Sequence, residues 1–140
     1  MTFSRRDILV LGSGTLAASA LSSLPAMASA TDDMIAQFTG GADVGSGALS
    51  LTAPEIAENG NTVPISITAP GAVAVSIYAD GNPIPAVATF NFGPLNASRE
   101  ASTRIRLAQS QNVIAVAKME DGSFQRAEAA VKVTIGGCGG

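Results

Sequence analysis

Val113-Ile114-Ala115-Val116-Ala117-Lys118-Met119 is the stretch that decides the fold. Side chains of a strand alternate between faces at every residue, and here apolar residues occupy both sets of positions, so both faces must be covered. The segment therefore reads as a central strand. After it, Glu120-Asp121-Gly122-Ser123 is a turn signal, and a long final strand is expected over residues 124–135. Before it, Ile105 and Leu107 alternate with Arg104 and Arg106, giving one dry and one wet face. Val73, Val75 and Ile77 alternate with Ala74, Ser76 and Tyr78 up to the Asp80-Gly81 turn, and residues 86–92 place Ala88, Phe90 and Phe92 on one face.

Further upstream, Val63, Ile65 and Ile67 alternate with polar or small residues, and Pro64 cannot donate to a ladder, which predicts an edge or bulged strand. Asn59-Gly60 is a turn signal, residues 53–58 suggest a single helical turn, and Ala48-Leu49-Ser50-Leu51 a short strand. Thr31-Asp32-Asp33 looks like a helix start, with Met34, Ile35 and Phe38 as its apolar face and Gly40-Gly41 as its stop. Many short strands and one short helix predict an all-β protein, an immunoglobulin-like antiparallel β-sandwich. With no Trp and a single Cys, the hallmarks of an antibody domain are absent.

Residues 1–30 read as an export signal. Ser4-Arg5-Arg6-Asp7 is a charged start, a run rich in Ala, Gly and Ser extends to about Leu24, and Ala28-Ser29-Ala30 has the A-x-A form of a signal-peptidase site. Arg5 and Arg6 resemble the twin-arginine pair that exports folded proteins, although Ile8 stands where that consensus has Phe and Val10 where it often has Lys. Export of the unfolded chain is the alternative. An anchor fits less well, because Pro25 and the A-x-A site end the run short of the ~20 apolar residues that span a bilayer. The expected location is the periplasm, by the twin-arginine route. Cleavage after Ala30 leaves 110 residues with 6 basic and 10 acidic side chains, one acidic domain that is no nucleic-acid binder by charge.

Several chemistries are excluded by what is missing. With no histidine in the chain, Ser-His-Asp and Cys-His catalysis lack their base, and blue-copper and ordinary zinc sites lack their ligands. No cofactor and no metal are expected. Asp32-Asp33 and Glu120-Asp121 sit where caps and turns want acids, and Arg99, Arg104 and Arg106 read as a solvated strand face before they read as an anion site.

What remains is the last five residues, Gly136-Gly137-Cys138-Gly139-Gly140, which carry the only cysteine. Glycine has no Cβ, so Gly136, Gly137, Gly139 and Gly140 make a slim cord around the thiol of Cys138 rather than a core element. Extended, residues 136–138 span roughly 10 Å and all five roughly 17 Å. A lone cysteine in an exported protein implies a reactive thiol or an intermolecular pair, so a disulfide-linked dimer through Cys138 is expected as a resting form. Lys132 is the nearest base in sequence and the terminal carboxylate lies two residues on, so the isolated thiol should not be acid-shifted. That is the logic of a carrier rather than of an enzyme. The expected organisation is signal 1–30, carrier domain 31–135 and swinging arm 136–140.

The terminal pentapeptide, the Glu58-Asn59-Gly60 to Val63-Pro64 stretch, the segment from Asn82-Pro83 to Phe90, Ser102-Thr103-Arg104-Ile105-Arg106-Leu107 and the twin-arginine start together resemble the SoxY family of sulfur carriers. The resemblance implies a heterodimer with SoxZ and a covalent cycle on Cys138. It implies that a c-type cytochrome (SoxAX) couples thiosulfate to the thiol and that a hydrolase (SoxB) releases sulfate. Where present, a sulfur dehydrogenase (SoxCD) oxidises the residual sulfur. Residues 86–92 and 113–119 are expected to offer the apolar sheet face of the heterodimer, with well over ~1,000 Å² buried. The rival classes are a structural or interaction β-sandwich whose terminal cysteine only forms an intermolecular disulfide, and a redox or metal-delivery module.

Overall fold

Residues 26–136 are described by a computed structural model of the chain. A helix, α1 (Ala26–Thr39), is followed by nine strands: β1 (Val44–Gly45), β2 (Ser50–Thr52), β3 (Ile56–Ala57), β4 (Val63–Thr68), β5 (Ala72–Ala79), β6 (Ala86–Asn91), β7 (Glu100–Ile105), β8 (Gln111–Met119) and β9 (Phe124–Val133). They form two sheets, one ordered β1-β9-β8-β5-β6 with β3 also on β9, the other β2-β4-β7. This is the expected all-β, immunoglobulin-like sandwich. The long ladders are antiparallel, and two short pieces, β1 and β3, add to β9 in parallel.

β8 lies between β5 and β9 as its composition requires. Its Val113, Ala115 and Ala117 turn inward to meet Val63, Ile65 and Ile67 of β4 and Leu107 in the main core. Its Ile114 and Val116 turn outward, where Ile35 of α1, Tyr78 and Phe124 cover them. Phe38 meets Phe124 edge to face, ring centres 5.9 Å apart. Each such Val or Ile contributes roughly 1.5–3 kcal/mol by leaving water, so the helix is an integral third layer. The expectation that residues 113–119 present a heterodimer face is thereby corrected. Residues 113–117 are each at most 3% exposed, covered within the chain on both sides.

Helix α1 starts five residues before the expected Thr31, because Ala26-Met27-Ala28 are good helix formers that continue its register. It stops where expected: Gly40 and Gly41 take positive φ, and the Gly41 N–H reaches back to the Ala36 carbonyl at 3.1 Å, a Schellman-type end. Pro64 sits in the half of β4 that β2, paired only with Ser66–Thr68, does not reach, so its missing N–H costs no ladder bond. β9 ends at Val133, two residues before the expected limit. The single helical turn expected over residues 53–58 is not formed. One turn has no stability of its own, whereas Ile56 and Ala57 find ladder partners in Lys132 and Val133.

Candidate functional site at the root of the tail

Where β9 ends, the chain enters a slot between two loops. The Thr134 N–H donates to the Ala57 carbonyl at 3.1 Å, and its hydroxyl donates to the Glu58 carbonyl at 2.8 Å. The Ile135 carbonyl accepts the Gly60 N–H at 2.7 Å, and the Gly60 carbonyl accepts the Leu107 N–H at 2.8 Å. Gly60 therefore ties the tail to the strand β7 side of the sandwich. Asn59 shapes this loop as an Asx turn, its Oδ1 accepting the Asn61 N–H at 3.0 Å. One step back, Ser110 Oγ accepts the Val133 N–H at 2.8 Å.

The far wall of the slot is residues 106–108, and one side chain organises it. Asn82 is 3% exposed. Its Nδ2 donates to the Arg106 carbonyl at 2.8 Å, while its Oδ1 accepts the Ala108 N–H at 2.9 Å and Gln111 Nε2 at 2.8 Å. Beside it, Ile84, Val87, Arg104 and Arg106 line a groove of about 330 Å³. The two exposed guanidinium groups that the sequence places on a wet strand face thus border a concave surface, next to the wall of the slot.

Of the residues singled out in the sequence, Gly136 lies in this slot against Ala108. Gly137, Cys138, Gly139 and Gly140 lie outside the described residues, as do Arg5 and Arg6. Ala28 and Ala30 fall within α1, so the expected cleavage point after Ala30 lies inside that helix, next to Thr31 at 2% exposure. Asn82, Ala108, Thr134 and Ser110 were not legible as parts of one site. Asn59-Gly60 was legible only as a turn. Among the described residues, no three His, Cys, Asp or Glu side chains are grouped to hold a metal. The carboxyl of Asp121 is held below its ordinary pKa, chiefly by the hydroxyl of Ser123 and then by its N–H. It caps the β8–β9 turn, a full strand length from the slot, roughly 30 Å away.

A family model for the sulfur oxidation protein SoxY matches residues 35–138, from the middle of α1 to the cysteine of the tail. The chain belongs to the SoxY family. Among solved structures, the sulfur carrier protein SoxY from Chlorobium limicola f thiosulfatophilum is 38% identical with a TM-score of 0.68, the alignment covering 76% of this chain and 94% of that one. A superoxide reductase (neelaredoxin) from Ignicoccus hospitalis is 16% identical with a TM-score of 0.55, covering 63% of this chain and 81% of that one, a likeness of fold alone. Comparison with curated protein sequences gives no match. Membership of the SoxY family, with that carrier as a structural relative, supports a sulfur-carrier role for this chain.

Proposed function

We propose that the protein is a periplasmic sulfur carrier whose covalent attachment point is Cys138. The observation that carries this reading is that the family match runs to Cys138, three residues beyond Ile135, whose carbonyl is bonded to the Gly60 N–H. A thiol so close to a rigid sandwich end, on a cord without side-chain bulk, can be offered to a partner's active site while its cargo stays bonded.

In the first step the Cys138 thiol loses its proton and a sulfur–sulfur bond forms to thiosulfate. The two electrons released pass to the c-type cytochrome partner SoxAX. Water then cleaves the bond to the terminal sulfonate, sulfate leaves and a persulfide remains; this hydrolysis belongs to SoxB. A dehydrogenase such as SoxCD oxidises the persulfide sulfur to a sulfonate with six electrons removed, and a second hydrolysis restores the thiol. The carrier supplies attachment and presentation, and the partners supply catalysis. SoxZ is the proposed heterodimer partner, and Arg5, Arg6, Ala28 and Ala30 are the proposed export and cleavage determinants.

Intact-mass spectrometry tests the attachment. Reduced protein incubated with thiosulfate and the oxidising cytochrome should gain the mass of one thiosulfate, and Cys138→Ser should gain nothing. A mass gain that survives the substitution refutes Cys138 as the carrier, and a product found only as the disulfide dimer favours the structural reading.

A further inference from the structure

Glycines 136, 137, 139 and 140 look interchangeable as sequence, yet the fold sets Gly136 apart. A Cβ built on Gly136 would collide with the carbonyl oxygen of Ala108 and sit 3.2 Å from its carbonyl carbon. The obstacle is backbone rather than the end of a flexible side chain, so it cannot swing away. Nor can it retreat, because the buried Asn82 grips both the Ala108 N–H and the Arg106 carbonyl. On the other flank, Thr134 and Ile135 are bonded to the loop of residues 57–60 by the Thr134 N–H and hydroxyl and the Ile135 carbonyl. Gly136 is where the chain must be thinnest to pass.

We infer that Gly136, Asn82 and the 57–60 loop form a clamp that fixes the exit point of the tail, making Gly136 a positioning residue for Cys138 rather than a flexible joint. The inference rests on the reading of Cys138 as the carrier. With the clamp closed, the chain from the anchor to the sulfur-bearing residue is Gly137 and Cys138, at most roughly 7 Å. With it open, the free run begins at Ile135 and doubles in length. The effective concentration of a tethered group falls as about the −3/2 power of tether length, so opening the clamp should dilute the thiol at a partner's pocket roughly threefold.

The experiment uses the chain's only cysteine as its own label site. A nitroxide on Cys138 broadens nearby amide resonances in the full mature chain. The clamp predicts broadening strongest at residues 57–60, 82–84, 106–110 and 133–136 and fading toward the β8–β9 turn, and a more even spread over the domain in Gly136→Ala. Thr134→Val, which removes the hydroxyl bonds to the Glu58 carbonyl at 2.8 Å and the Ala57 carbonyl at 3.5 Å from an exposed side chain while keeping the backbone bond, is the milder variant and should give a smaller spread if Gly136→Ala fails to fold. With the partner cytochrome, Gly136→Ala should lose roughly threefold in kcat/KM, through KM, while a small alkylating reagent reacts with Cys138 at an unchanged rate. Uniform broadening in the unsubstituted protein overturns the clamp, as does an unchanged map in the variants. A changed map with unchanged kcat/KM overturns the positioning role. A graded map in a protein that takes up no sulfur counts against the carrier reading and leaves the clamp standing.

Discussion

Asn82→Ala should be among the most destabilising polar substitutions in the domain. The side chain is 3% exposed and makes three hydrogen bonds, at 2.8, 2.9 and 2.8 Å. Each is worth about 1 kcal/mol net, and truncation also strands the Ala108 N–H and the Arg106 carbonyl, each costing about 1–3 kcal/mol if no water replaces the amide. Asn82 borders the 330 Å³ groove, so water can reach part of the vacated space and the total belongs near the lower end. The expected loss is about 3 kcal/mol, or a fall of about 12 °C in Tm for a domain of this size. Urea unfolding should show a lower midpoint at unchanged slope, which separates lost stability from a changed unfolded state. Amide exchange should accelerate first at Leu107, Ala108 and Gly60. A loss below about 1 kcal/mol with those amides still protected would show that the wall of the slot is held by something other than Asn82.

Cys138→Ser should leave Tm unchanged, since exchanging sulfur for oxygen in a glycine-flanked residue removes no apolar bulk of the kind that fills a core, and should abolish thiosulfate-dependent electron transfer in a reconstituted system; retained turnover would refute the carrier function. Replacing Gly137 and Gly139 by Val should preserve reaction with small thiol reagents yet slow partner turnover, and equal turnover would show that clearance is not what the glycines provide. The pH profile of Cys138 alkylation should show no acid shift from an ordinary thiol, because its sequence neighbours supply no cation nearer than Lys132; an acid-shifted profile in the isolated subunit would show the domain activating its own cysteine. Asp121 should titrate below the ordinary carboxylate range, held down by Ser123, so the stabilisation it gives its turn is complete above the ordinary value and is lost only as pH falls through the lowered one. Carbon-detected NMR titration reads this directly, and Ser123→Ala should return the midpoint towards normal.

Much of the sandwich is legible as local pattern. Period-two alternation in Val63, Ile65 and Ile67, or in Ile105 and Leu107, reflects a face that must be dry wherever its partner comes from, and the structure buries all five. The two-faced apolar run of β8 likewise announces a central position. It says nothing about what covers each face, and the inference of an intermolecular partner for residues 113–119 failed because α1 supplies the second cover from the same chain. β3 was misread for a related reason. Its partners on β9 lie 76 residues away, and a two-residue strand carries no period of its own.

The tail shows the same division. The sequence by itself singled out the thiol as the candidate attachment point, because a single cysteine flanked by glycines is a statement of chemistry that needs no coordinates. It could not tell one glycine from another, since absence of a side chain reads identically whether it serves freedom or fit. Only the tertiary structure, by bringing the Ala108 carbonyl and the 57–60 loop to the end of β9, showed that Gly136 lies where a Cβ would strike backbone. Excluded volume is a property of the neighbours, and neighbours distant in sequence meet only in the fold.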